Sequence, residues 1–324
     1  MSSAEVGRID YSDTKTNPVP ETQVPPIVVP AARQPIIILG AHRSGTSMIA
    51  RLLDHLGLFQ GITLQDDHES TYIVATNEML MERVNATWDN PLPMRDFLAS
   101  EAAVRMTVLA LRADLMSRRI RGFLGKGKSL ADFDRPWGWK DPRTIFTLPI
   151  WLRMFPGAKL VHVIRNGVDV AASLRAREIK LLQEREKKFD GRMARFSLRP
   201  ILDRAGYKGS ARCLILQRGF ELWKEYRQQA EHVLRGIDNQ ILSIRYEDFL
   251  ADPAQHLKQL VEFCELKNIS DESVQKGIGS VDKRRAKVFA SDPELSAFYQ
   301  SVKDDPWMRE YCDARVPALE TQKP

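Results

Sequence analysis

Cysteine is scarce, with three residues in 324: Cys213, Cys264 and Cys312. They are odd in number and too far apart for a metal clip. That excludes a disulfide scaffold and fits unpaired thiols in a reducing compartment. No window supplies the roughly 18 apolar residues that a membrane span needs. The N-terminus lacks a basic, apolar, small-residue order, so no secretory leader is expected and the expected location is cytoplasmic. Aromatics make up 8% of the chain, within 43% hydrophobic and 28% charged residues, an ordinary mix for a globular protein with a sizeable core. Charge of one sign is also sparse outside one segment. Between Arg175 and Arg212 lie 12 Lys and Arg against 5 Asp and Glu, which accounts for the net +6. A broad basic surface is therefore absent, and no nucleic-acid partner is expected.

Proline concentrates early, at Pro18, Pro20, Pro25, Pro26 and Pro30. Residues 1–34 read as a disordered, Pro-rich arm, with order beginning at Pro35. Ile36-Ile37-Ile38-Leu39 has no polar face, as expected of a strand covered on both sides. Met48, Ile49, Leu52, Leu53 and Leu56 follow at helical spacing. The strand-to-helix unit recurs at 159–164, where Asp169 is placed to cap a helix starting at Val170. A third strand is expected at 241–244, followed by a turn at Asp252-Pro253 and a helix through Leu257, Leu260 and Phe263. Long helical stretches fill roughly 95–122 and 176–235. Alternating strands and helices predict an α/β fold, three-layered and P-loop-like, with a central, mainly parallel sheet flanked by helices. One domain over 35–315 is expected, with a basic helical insertion near 176–235 and a flexible tail at 316–324.

The turn after the first strand, Gly40-Ala41-His42-Arg43-Ser44-Gly45-Thr46-Ser47, has P-loop spacing with Thr46 in place of the lysine. Such a turn aims backbone N–H groups and a helix N-terminus at an anion. Ser44, Thr46 and Ser47 add hydroxyls, and Arg43 can fork onto anionic oxygens. Without the lysine, the turn suits one phosphate better than a triphosphate. Arg165 ends the 159–164 strand and Ser173 lies one turn into the next helix. Together they can grip one dianionic phosphate where α/β sheets bind ligands.

These two elements, in this order and about 120 residues apart, resemble the sulfotransferase family that uses 3′-phosphoadenosine-5′-phosphosulfate (PAPS) as donor. The resemblance covers roughly residues 35–180. It implies that Arg43, Ser44, Gly45, Thr46 and Ser47 hold the 5′-phosphosulfate, and that Arg165 and Ser173 hold the 3′-phosphate. Gly167 departs from the proline often found there. Arg245-Tyr246-Glu247-Asp248-Phe249 is similar to the family's Tyr-Glu-Asp strand end and is read as structural. Lys140-Asp141-Pro142-Arg143 is a stretch carried by many bacterial members, with Lys140 a contact to the sulfuryl oxygens and no histidine where cytosolic members keep their base. Glu69 is then the first candidate for base, with Asp141 and His68 behind it. Trp137, Trp139 and Trp88 read first as packing and second as lining for an acceptor pocket. Lys276-Gly277-Ile278-Gly279-Ser280, with Lys283, Arg284 and Arg285, is weakly similar to the family's C-terminal lid but reads more simply as a solvated basic turn.

The expected reaction moves a sulfuryl group, without metal, from PAPS to a hydroxyl or amine of a small-molecule, glycan or lipid acceptor, and releases adenosine 3′,5′-bisphosphate (PAP). The alternatives are an ATP-dependent kinase and a catalytically silent nucleotide-binding scaffold.

Overall fold

In the computed structural model, which describes residues 28–190, 209–282 and 285–313, the run Ile36–Leu39 forms β1, buried throughout. Ile37 and Leu39 enter one apolar cluster and Ile36 and Ile38 the other, so the strand separates two cores. Among the described residues four parallel strands stand in the order β2-β1-β3-β4, where β2 is Gly138–Lys140, β3 is Lys159–Ile164 and β4 is Ile241–Arg245. β4 buries only Leu242 and Ile244, the alternation of an edge strand with one covered face. β1 neighbours β2 on one side and β3 on the other, so the chain reverses its direction of travel across the sheet there. Outside the carboxyl ends of β1 and β3 lies the crevice in which open α/β sheets bind ligands.

Helix α1 (Thr46–His55) buries Ile49, Leu52 and Leu53 on the Ile36/Ile38 side. The opposite layer holds α6 (Thr144–Met154), α7 (Gly167–Asp190) and α8 (Leu216–Leu234), through Ile145, Trp151, Leu174 and Trp223. The sheet is thus covered on both faces, the three-layer α/β arrangement expected from the sequence.

Local details depart from expectation. The stretch near 95–122 is broken into α3 (Pro93–Leu98), α4 (Glu101–Met116), a 3-10 turn over Arg118–Ile120 and α5 (Arg121–Leu124). Ser100 and Ser117 stand at its breaks in extended conformation, each accepting a backbone N–H through its hydroxyl. Helix α7 begins three residues before Val170. Its N-terminus is capped by Asn166, whose side-chain oxygen accepts Val168 N–H at 2.9 Å. Asp169 lies one turn too late to cap. Residues 28–34, expected to belong to the arm, are docked: Val29 is buried, its N–H donates to the Met154 carbonyl, and Ala32 N–H donates to that of Leu130. The remainder of the arm at 1–27, the insertion residues 191–208, Lys283, Arg284 and the tail at 316–324 lie outside the described residues. Trp137 and Trp139 are buried in the core, with the Trp139 ring packed at a centre-to-centre distance of 4.8 Å against Trp151 of α6.

After β4 come α9 (Tyr246–Ala251), α10 (Pro253–Phe263, capped by Asp252), α11 (Asp271–Gly279), α12 (Pro293–Val302) and α13 (Pro306–Asp313). Lys276–Ser280 is accordingly the C-terminal end of α11 and its cap, not a loose turn. Helix α2 spans Thr71–Glu82. No helix among the described residues is long and apolar enough to cross a membrane. Cys213 and Cys264 are buried free thiols and Cys312 is exposed.

Candidate active site

The turn between β1 and α1 brings the helix N-terminus under a glycine bend. Gly45 has φ 98°, and a Cβ there would stand 2.2 Å from the Tyr246 ring. Only glycine serves both the left-handed backbone and the close approach. Tyr246 in turn carries the Arg165 guanidinium, 4.7 Å above its ring centre. The element after β4 therefore has a structural task, buttressing two other elements at once.

The loop and the β3 terminus meet directly. Arg43 Nε donates to Ser173 Oγ at 2.9 Å, and Arg165 donates to the Arg43 carbonyl at 3.0 Å. Arg165 also donates to the Arg285 carbonyl at 2.9 Å, while its Nε is buried without a partner among the described residues. Ser44 Oγ, at the base of the turn, is likewise buried and unpartnered. Arg43 itself is held below the ordinary arginine range by burial and by the charges of Arg177, Arg165 and Arg285. Orphaned donors beside crowded cations form a cradle suited to phosphate oxygens. Thr46 is buried and Ser47 half-buried in the first turn of α1, where backbone N–H groups have no intrahelical acceptor.

At the β2 end of the same sheet edge, Lys140 pairs in register with Ile38 of β1. Its Nζ donates to Glu69 Oε1 at 2.7 Å, with both side chains buried. Glu69 sits in the loop before α2, which Arg51 of α1 tethers through the Asp66 carbonyl at 2.6 Å. Burial pushes the Glu69 carboxyl up to about 7; Lys140 opposes the shift, and Asp141 and Asp67 add to it. A carboxylate poised near neutrality is matched to proton abstraction.

Asp141, the next candidate, is fully buried beside this pair and accepts from Asn77 Nδ2 at 2.9 Å and from the Arg143 backbone at 3.0 Å, at the start of α6. His68, the other reserve base, lies 3.3 Å from Asp54 on α1. Asp169 accepts the N–H groups of Val288 and Phe289, at 3.3 and 3.0 Å, and so ties the 285–289 segment across the start of α7.

Sequence reasoning missed three contributors. His42, adjacent to Arg43, is pushed well below its usual pKa by burial and by Arg143, Arg177, Lys140 and Arg43, so its imidazole is neutral among four cations. Arg177 lies 4.4 Å from the centre of the Trp88 ring, and His42 meets the same ring edge-on at 4.8 Å. Asn77 anchors the floor. Asn77 stands between Thr76 and Glu78 in the sequence, and nothing local sets it apart from those polar neighbours.

The strand order and the glycine turn at its switch point define the class: a parallel α/β protein whose P-loop-like turn faces an arginine from the neighbouring strand. Within that class the chain belongs to the sulfotransferase family, whose family model matches residues 35–271. A curated relative, an uncharacterized protein of Aquifex aeolicus (strain VF5), is 23% identical over 313 residues, or 88% of this chain and 35% of that protein. The chain thus spans about a third of the length of that relative. Among solved structures it is similar to the sulfotransferase domain from the Synechococcus PCC 7002 olefin synthase, 20% identical over 89% of this chain and 91% of that one, TM-score 0.40. It is also similar to a sulfotransferase from Alicyclobacillus acidocaldarius, 16% identical over 86% and 95% of the two chains, TM-score 0.43.

Proposed function

We propose that the protein transfers a sulfuryl group from PAPS to a hydroxyl or amine of a small-molecule, glycan or lipid acceptor. The observation that carries this reading is the Arg43–Ser173 hydrogen bond at 2.9 Å. It joins the two proposed phosphate elements, and among the described residues Ser44 Oγ and Arg165 Nε beside them are buried without a partner, which supports one nucleotide spanning both. When bound, PAPS supplies the sulfuryl group, and PAP is its leaving portion.

In this reading the first-turn N–H groups of α1, with Ser44, Thr46 and Ser47, hold the 5′ end, and Gly45 admits it. Arg43 offsets charge developing on the bridging oxygen, and Arg165 with Ser173 grips the 3′-phosphate. Lys140 contacts the sulfuryl oxygens. Glu69 takes the proton from the acceptor as its oxygen or nitrogen bonds to sulfur and the sulfur–oxygen bond to the nucleotide breaks. The residues must hold donor and acceptor in line, which is where much of the rate acceleration of such a transfer originates.

Calorimetry with PAP and with ATP–Mg²⁺ tests the reading. PAP should bind, and Arg165→Ala should weaken it at least tenfold. Preference for ATP–Mg²⁺ would favour a kinase, and undiminished PAP affinity in Arg165→Ala would remove the 3′-phosphate assignment. Tight PAP binding with no PAPS consumption across a broad acceptor panel would favour a silent nucleotide-binding protein.

A further inference from the structure

Asn77 stands in the middle of α2, a position that asparagine disfavours unless its side chain is fully engaged. Here it is. Its Nδ2 donates to Asp141 Oδ2 at 2.9 Å and to Thr144 Oγ1 at 3.0 Å. Its Oδ1 accepts from Thr147 Oγ1 at 2.8 Å and from Trp151 Nε1 at 2.9 Å. The amide is fully buried and every hydrogen-bonding site is used, which fixes it between α2 and α6.

Asp141, fixed by Asn77, receives both the Arg143 backbone N–H and Arg143 Nη1, each at 3.0 Å. The rest of the guanidinium faces two more carboxylates. Nη2 is 2.8 Å from Glu78, and Nη1 is 3.5 Å from Glu69 Oε2. Glu69 therefore has two cations, and they are tethered very differently. Among the described residues Lys140 has Glu69 as its one side-chain partner, whereas Arg143 is clamped by three carboxylates. A singly held lysine can turn toward the oxygens of an incoming anion; a triply held arginine cannot follow it.

We propose that Arg143 is a positioning residue: its guanidinium, locked through Asp141 to Asn77, holds the second oxygen of Glu69 and keeps that carboxylate oriented and ionisable when Lys140 is engaged elsewhere. The inference rests on the assignment of Glu69 as base and goes beyond it, to the group that governs the base. The charged and titratable groups bearing on Glu69 are Lys140 and Asp141 at the end of β2, Arg143 at the start of α6, Asp67 on its own loop and the buried phenol of Tyr226 from α8. Burial works against the Arg143 charge, but Asp141, Glu69 and Glu78 outweigh it and hold the guanidinium above the ordinary arginine range, so it stays charged.

The test is a titration of the Glu69 carboxyl carbon by NMR in glutamate-labelled protein, with the resonance assigned from its loss in Glu69→Gln. Removing the cation with Arg143→Met should move the midpoint upward by roughly one unit. Arg143→Gln, which keeps a hydrogen bond to Asp141, serves where Arg143→Met fails to fold. Arg143→Lys should restore at least half of the shift, and PAP affinity by calorimetry should stay within about twofold in all three. A midpoint that is unmoved, or moved downward, in both neutral variants overturns the proposal. The base assignment fails separately: a Glu69→Gln protein with full turnover removes it and leaves the titration result standing.

Discussion

Lys140→Met removes the cation bonded to a buried carboxylate, and the effect on stability should depend on pH in a defined direction. Burial raises the Glu69 carboxyl from its ordinary 4.5 to about 7 in the folded protein. A carboxyl shifted upward binds its proton more tightly when folded, so stability is fully present below 4.5 and declines as pH rises toward 7. Wild type and variant share this decline. Without Lys140 the folded pKa rises further, and the variant continues to lose stability above pH 7 where the wild type has levelled. The gap should grow by about 1.4 kcal/mol for each pH unit over that interval. Below pH 6, with Glu69 protonated in both, the two proteins should differ by at most about 3 kcal/mol and by an amount that no longer changes with pH, since a hydrogen bond from a charged group is lost. The double variant Glu69→Gln/Lys140→Met replaces the ion pair with neutral side chains and should show neither slope. Urea unfolding followed by tryptophan fluorescence at pH 5.5, 7 and 8.5 reads all three. A gap between wild type and Lys140→Met that is the same at every pH would refute the reasoning.

Two further perturbations follow from the geometry of the turns. Gly45→Ala puts a methyl within 2.2 Å of the Tyr246 ring in a left-handed backbone, which should cost about 2–4 kcal/mol in urea unfolding and weaken PAP binding through the displaced Arg165. A variant with wild-type stability and affinity would contradict the buttressing role of Tyr246. Asp169→Ala removes the acceptor for the Val288 and Phe289 N–H groups, so limited proteolysis near 285–291 should speed up several-fold. An unchanged cleavage rate would mean that the segment is held by other contacts.

Much of this site is legible in the amino-acid sequence, because the chemistry of a phosphate turn is local. Gly40 to Ser47 lie within eight residues, and a wholly apolar strand before them and a periodic helix after them are short-range signals. Arg165 and Ser173 are eight residues apart at a strand end, again a local pattern. Capping at the start of α7 is a local feature on which sequence and structure differ. Asn166 and Asp169 are both good caps, and the residue that leaves the strand first, Asn166, took the position. Gly167 shows the opposite limit. Trp223 occupies the space over it, at 2.6 Å from a would-be Cβ, and nothing near it in sequence announces that ring.

Three of the four described strands, the turn that carries threonine in place of lysine, and the residue types able to meet an anion are written into local stretches of sequence. Their partners come from packing across long sequence distances. Lys140 and Glu69 are 71 residues apart, Asn77 and Asp141 are 64 apart, and Arg43 and Ser173 are 130 apart. Of two acids on the same buried cluster, Asp141 took the hydrogen bonds of Asn77 and Arg143 and Glu69 took the Lys140 amine, because packing brought α2 behind one and the end of β2 before the other. Periodicity and spacing encode what a backbone segment does with its own neighbours. They carry no record of which distant charge shares a buried cavity, and in low dielectric that choice sets protonation.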